Sequence, residues 1–122
     1  MGDSYRDLIV WQRAVQLSTG IYRLTAEFPK EEVYGLTSQL RRASVSVASN
    51  IAEGYGRASS HEYKHFLAMA CGSNFEIQTQ LTIAGELGFG TAAKRHATEE
   101  LSHEVGKMLR AILAKLGQGR NS

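Results

Sequence analysis

Two histidines one helical turn apart, with a glutamate beside the first, form the pattern most suggestive of chemistry: His61-Glu-Tyr-Lys-His65. On a helix, a literal H-E-x-x-H puts both imidazoles on one face, ready to hold a zinc ion, and supplies a carboxylate as general base. Three features of the chain argue against that use. Ser59 followed three residues on by Glu62 is a capping-box signature, so the motif occupies the first, fraying turn of a helix. Lys64 sets a cation beside the would-be dication, and Tyr63, Phe66 and Leu67 take the interior positions, which turns the histidines toward solvent. His96, Glu99, Glu100 and His103 supply a further ligand only if two helix faces converge. The expectation is no metal, no cofactor, no catalytic residue and no enzyme. A zinc-dependent hydrolase using His61, Glu62 and His65 stays as a distant alternative.

Other chemical patterns dissolve in the same way. Gly54-Tyr-Gly56 and Gly88-Phe-Gly90 look like phosphate loops, but neither follows a strand or has the required spacing, so both read as helix stops. No Ser/His/Asp or Cys/His grouping suggests a nucleophile. Glu31-Glu32 and Glu99-Glu100 fall in first turns, where carboxylates complement the helix dipole.

A polar stripe is harder to dismiss. Gln39, Arg42, Ser46, Asn50 and Glu53 recur at helical spacing on a helix whose opposite face carries Leu40, Ala43, Val47 and Ile51. Ser and Asn are unusual on a solvated face, so the stripe suggests hydrogen bonding to other protein. Ser73, Glu76 and Gln80 form a matching row on the next helix, with Glu76 the expected partner of Arg42. Such a network fixes register when its members are paired. Arg41, Arg57 and Lys64 have no evident inward role and are the candidate phosphate-binding cations.

Four helical segments must position these groups. The first spans about Leu8 to Glu27, with Val10, Ala14, Leu17, Ile21, Leu24 and Phe28 on one apolar stripe. Leu8, Trp11, Val15 and Tyr22 form a second stripe beside it, so this helix is expected to be buried on two sides. Pro29 closes it. The second bends at Gly35 and runs to about Glu53, the third stops at Gly88, and the fourth starts after Thr91 and frays from Gly117. Helices of about 20 to 28 residues are roughly 30 to 40 Å long, and short loops make neighbours antiparallel. The fold expected is all-α: an antiparallel up-down four-helix bundle over 1–122, with a lead at 1–6 and a tail at 117–122. Gly20, Gly72, Gly85 and Gly106 lie inside helical patterns at a cost of about 1 kcal/mol each, which close helix approach would offset. With the doubly apolar first helix, they favour an obligate oligomer.

The chain has 122 residues, 43% apolar and 21% charged, enough for one core without disulfide or metal support. With its lone Cys71 and no apolar span or signal region in the sequence, the chain is expected to be cytoplasmic and away from the membrane. A net charge of +2 is a weak electrostatic argument for one copy and a stronger one for a ring of copies.

Leu8-x-x-Trp11, Phe28-Pro29, Glu31-Glu32-x-x-Gly35-Leu36, Gln39-Leu-x-Arg42-Ala43, Asn50-Ile-Ala-Glu-Gly54 and Gly72-Ser73-x-x-Glu76 together resemble the bacterial family of rRNA intervening-sequence proteins. The accessory protein of diversity-generating retroelements looks like a relative, a basic homopentameric barrel that binds nucleic acid and associates with a reverse transcriptase. The resemblance implies a homopentamer, raises nucleic-acid binding as a function, suggests by analogy a partner protein such as a reverse transcriptase, and transfers no reaction. The expectation is a non-enzymatic homo-oligomer that binds RNA or DNA. The competing reading is a structural or protein-binding oligomer without a nucleic-acid role.

Overall fold

A computed structural model describes residues 4–121, with side chains to residue 118. Among the described residues there are no strands, and four long helices carry the fold: α1 (Ile9–Thr25), α2 (Leu36–Tyr55), α3 (Ser60–Leu87) and α4 (Ala92–Asn121). Single 3-10 turns at Tyr5–Asp7 and Lys30–Glu32 lead into α1 and α2. Each helix packs on two neighbours, α1 on α2 and α4, and α3 on the same two. Gln39, Arg42 and Ser46 of α2 meet Gln80, Glu76 and Ser73 of α3. Asn74 of α3 meets Ser102 of α4, and Arg13 of α1 meets Glu104.

Local chemistry accounts for the boundaries. α1 ends at Thr25, two residues short of Glu27, because the Glu27 and Phe28 N–H groups close 3-10 turns onto Leu24 and Thr25 before Pro29. Glu32 then caps α2 outright: its carboxylate accepts from the Leu36 N–H at 3.0 Å. Ser59 Oγ accepts from the Glu62 N–H at 3.2 Å, the cap expected for α3. Thr91 Oγ does the same, more loosely, for Lys94 N–H at 3.4 Å. Gly88 ends α3 in the left-handed region at φ 71°, where glycine carries no Cβ penalty. α4 runs to Asn121, across most of the tail expected to fray from Gly117; positions 1–3 of the lead and Ser122 of the tail lie outside the described residues.

The core comes from the expected stripes. Val10, Ala14, Leu17, Ile21, Leu24 and Phe28 are all buried, packed on Leu40, Ala43, Val47 and Ile51 of α2, Leu67, Ile77 and Leu81 of α3, and Val105 and Leu109 of α4. The second stripe of α1 is not enclosed by this chain: Leu8, Trp11 and Val15 are half-buried and Tyr22 is exposed. Inside the α3–α4 seam, Asn74 Nδ2 donates to the Ser102 carbonyl at 2.9 Å and Ser102 Oγ donates back to Asn74 Oδ1 at 2.7 Å. This reciprocal pair fixes the register of the two longest helices.

Glycine usage differs from the sequence expectation. Gly54 belongs to the last turn of α2 and is buried there; a Cβ on it would lie 2.6 Å from Phe66 Cβ. Gly106 also abuts a neighbour, at 3.1 Å from Asn74 Nδ2. A Cβ on Gly72 would meet nothing within 4 Å, and Gly20 has only Thr98 Oγ1 at 3.9 Å. Close approach within one bundle therefore explains Gly54 and Gly106, but neither Gly72 nor Gly20.

Candidate functional site

The polar stripe of α2 lies along its seam with α3. Arg42 Nη2 donates to Glu76 Oε2 at 2.9 Å, and the Ser46 and Ser73 hydroxyls share a hydrogen bond of 2.9 Å. Asn50 Nδ2 turns back to the Ser46 carbonyl and hydroxyl at 2.9 and 3.0 Å. Gln80 Nε2 reaches Gln39 Oε1 at 3.3 Å, while Gln80 Oε1 is buried without a partner. Glu53 leaves the row and pairs with Arg57 one turn on, at 3.3 Å. In one chain the row is a surface seam and not an inward network, since the Arg42 side chain is 63% exposed and that of Glu76 40%.

The three candidate cations do not form one patch. Arg41, expected to point outward, is folded onto α1. Its Nε donates to Thr25 Oγ1 at 2.9 Å, its Nη2 to the Tyr22 carbonyl at 3.4 Å, and its guanidinium lies 4.6 Å from the Tyr22 ring centre. A residue so held ties α2 to α1 and keeps Nη1 free to donate. Arg57 is divided between the Glu53 carboxylate and the face of Phe66, 4.8 Å away. Lys64 is half-buried, with no hydrogen bond or ion pair among the described residues. Arg41 sits in the first half of α2 and Arg57 just past its end, about 20 Å apart along the axis.

Cations that the sequence reading passed over lie on α4. Lys107, Arg110 and Lys115 are exposed and none is in an ion pair. Beyond Glu104 the chain has no Asp or Glu at all, a signal that was legible in the sequence as an acid-free run. Arg110 lies near enough to Cys71 to oppose, weakly, the burial that pushes its thiol pKa up. Lys64 is two turns N-terminal to Cys71 on α3, so the helix register brings it toward this same end of the bundle. At the opposite end, Glu27 holds Lys94 and accepts from the Thr91 N–H. The Lys94 hydrogen bond is the main reason its carboxyl sits below the usual range.

The His61 and His65 side chains are exposed, the latter edge-on to Phe66. His103 lies beside the level of Asn74, thirteen residues from His61 along α3, or about 20 Å. His96 is farther still, so the α4 ligand types never converge on the motif. Among the described residues no three His, Cys, Asp or Glu side chains gather where an ion could be held.

The sequence from residue 6 to residue 111 matches the family described as 23S rRNA-intervening sequence protein. The chain belongs to this family. Lys115 lies beyond the segment shared with other 23S rRNA-intervening sequence proteins. A crystal structure of a protein of unknown function from the S23 ribosomal protein family of Bacteroides thetaiotaomicron superposes with a TM-score of 0.77. It shares 18% identity, over 86% of this chain and 98% of that one, which shows a common fold. No curated protein matches the sequence. Among the described residues no helix is long and apolar enough to cross a membrane.

Proposed function

We propose that this chain is a non-enzymatic, antiparallel up-down bundle that assembles into a homo-oligomeric ring, a pentamer, and binds RNA or DNA through Lys64, Lys107, Arg110 and Lys115. The acid-free run of α4 carries the reading: these cations have no carboxylate partner, so their charge is available to phosphates. Two mainly apolar surfaces support assembly. Met69, Phe75 and Ile83 stand exposed along α3, around the open Gly72. On the α1–α4 side, Leu8, Ile9, Val10, Met108, Ala111 and Ile112 line an open, mainly apolar groove with Asp7 at its edge. The two surfaces lie on different sides of the bundle, which suits a heterologous contact that closes into a ring.

Titration of labelled RNA and of single- and double-stranded DNA at two salt concentrations tests the binding. With all four cations on duplex phosphates the log–log salt slope is about −3.6, at about 0.9 per contact. Replacing Lys107, Arg110 and Lys115 by Gln should remove most of that slope. No binding at low salt would leave a structural oligomer, and binding indifferent to salt would exclude a phosphate mechanism. Light scattering reads the assembly separately: a ring of five has five times the 13.4 kDa of one chain, and a 13.4 kDa particle would refute assembly.

A further inference from the structure

The His61–His65 pair has no part in the nucleic-acid reading, and the structure answers two of the three objections that the sequence raised to it as a metal ligand. Its turn is not loose. Ser59 caps it through the Glu62 N–H, and the side chains next inward are seated on α2. Tyr63 meets the Tyr55 ring edge-on, Phe66 lies 4.8 Å under the Arg57 guanidinium, and both stand against Gly54. Lys64 is also offset. At 100° per residue, Glu62 and Lys64 stand about 80° to either side of the midline between the two histidines. One is an anion and the other a cation, and neither is in an ion pair among the described residues. The third objection holds, since no α4 side chain converges on the pair.

We propose that His61 and His65 form a bidentate surface site for a late first-row divalent cation, Ni²⁺, Cu²⁺ or Zn²⁺, with water in the remaining coordination positions. Four residues of helix separate the imidazoles by about 6 Å along the axis and about 40° around it, the spacing at which two histidines share one ion. Both side chains are exposed, and neither makes a hydrogen bond or an ion pair among the described residues. The contact that His65 does make is with the Phe66 ring, centres 5.7 Å apart. Imidazole nitrogen suits these ions, while Mg²⁺ and Ca²⁺ require oxygen ligands. With two protein ligands in place of three, the site differs from a catalytic zinc centre and belongs to a non-enzymatic chain. It rests on α3 alone and on no part of the nucleic-acid reading.

The test titrates the untagged full chain, stripped with EDTA, with NiCl2 and ZnCl2, and uses MgCl2 as the control. Calorimetry gives stoichiometry and affinity, and paramagnetic broadening by Ni²⁺ shows which imidazole signals lie at the ion. One ion per chain is expected, with a Kd of about 10 to 100 μM, and no uptake of Mg²⁺. His61→Gln and His65→Gln should each weaken binding at least about tenfold, since one ligand of two is lost. His96→Gln and His103→Gln should bind as the parent does. All four positions are exposed, and Tm without metal reports that each variant folds. Absence of saturable binding at about 1 mM Ni²⁺ and Zn²⁺ would overturn the proposal. So would unchanged affinity in folded His61→Gln or His65→Gln, an equal loss in His103→Gln, or equal uptake of Mg²⁺.

Discussion

Gly54 and Gly72 invite the same substitution, to alanine, in opposite surroundings. At Gly54 the new methyl would lie 2.6 Å from Phe66 Cβ, 3.1 Å from Tyr63 Cδ1 and 3.3 Å from the Tyr63 carbonyl oxygen. Carbon atoms rest at about 3.5 to 4.0 Å, so α2 and α3 must separate by about 1 Å. No rotamer change relieves the clash, because Phe66 Cβ is fixed to its backbone. A contact of 2.6 Å falls in the upper part of the overpacking range, about 2 to 3 kcal/mol, against a helix-propensity gain of about 1 kcal/mol. The net loss expected for Gly54→Ala is about 1 to 2 kcal/mol. At Gly72 nothing lies within 4 Å, and only the gain of about 1 kcal/mol remains. For a chain of 122 residues, an unfolding entropy of about 2.1 cal/mol/K per residue converts each kcal/mol into roughly 4 °C. Thermal unfolding by circular dichroism should show Gly54→Ala melting about 4 to 8 °C below the parent. For dilute, dissociated chains, Gly72→Ala should melt about 4 °C above it. A Gly54→Ala protein as stable as the parent would refute the tight α2–α3 approach. Concentration dependence adds a second reading. If copies pack across the open face of α3, Gly72→Ala should weaken their association while stabilising the isolated bundle.

The Arg42–Glu76 pair is exposed, so a double-mutant cycle with alanine at both positions should give a coupling of about 0 to 1 kcal/mol in the single chain; a coupling well above that would mean the seam is buried by another copy. Gln80→Met removes a buried carbonyl oxygen that has no partner and leaves Gln39 exposed to water, so chemical denaturation should find it neutral or up to about 1 kcal/mol more stable, and a large loss would show that Gln80 Oε1 is satisfied by something other than this chain. The Glu27 carboxyl is lowered below 4.5 by Lys94 and the Thr91 N–H. A depressed folded-state value contributes stability that is present above the unfolded value and lost as pH falls through the folded one. Glu27→Gln should therefore lower Tm at pH 7 and converge with the parent only in acid below the lowered folded-state value, and a gap that persists once the carboxyl is protonated in both states would assign the effect to packing.

Periodicity made the core legible because one face of a helix is decided by its own sequence. The α1 stripe from Val10 to Phe28, the Ser59 cap and the facing rows of Arg42/Ser46 and Glu76/Ser73 all follow from spacing alone. Contacts set by a neighbour's path were not legible. Arg41 read as outward because nothing on its own helix needs it, and only the turn after α1 brings the Tyr22 ring and Thr25 hydroxyl beneath it. Gly54 read as a stop because glycine ends helices, whereas its function here is space for Phe66, whose position depends on how α3 docks. The Asn74–Ser102 pair needs the relative height of two long helices, which no single-helix pattern encodes.

Net charge misled for a related reason: it sums charges that do not act together. Arg13, Arg42, Arg57 and Lys94 are paired with Glu104, Glu76, Glu53 and Glu27, and Arg95 donates to the carbonyls of Phe89 and Gly90. Those cations have little left to offer a phosphate. A helix of 20 residues is about 30 Å long, while the Debye length at physiological salt is about 8 Å. A carboxylate near the α1–α2 connection therefore does not cancel a lysine near the end of α4. An approaching polyanion meets the field of one end, and at the end bearing Lys107, Arg110 and Lys115 α4 itself adds no acidic residue after Glu104, leaving Asp7, across the groove from Met108 and Ala111, as a carboxylate beside that run. A chain of charge +2 can present that surface as well as a far more basic one, and a ring of copies would repeat it around the assembly.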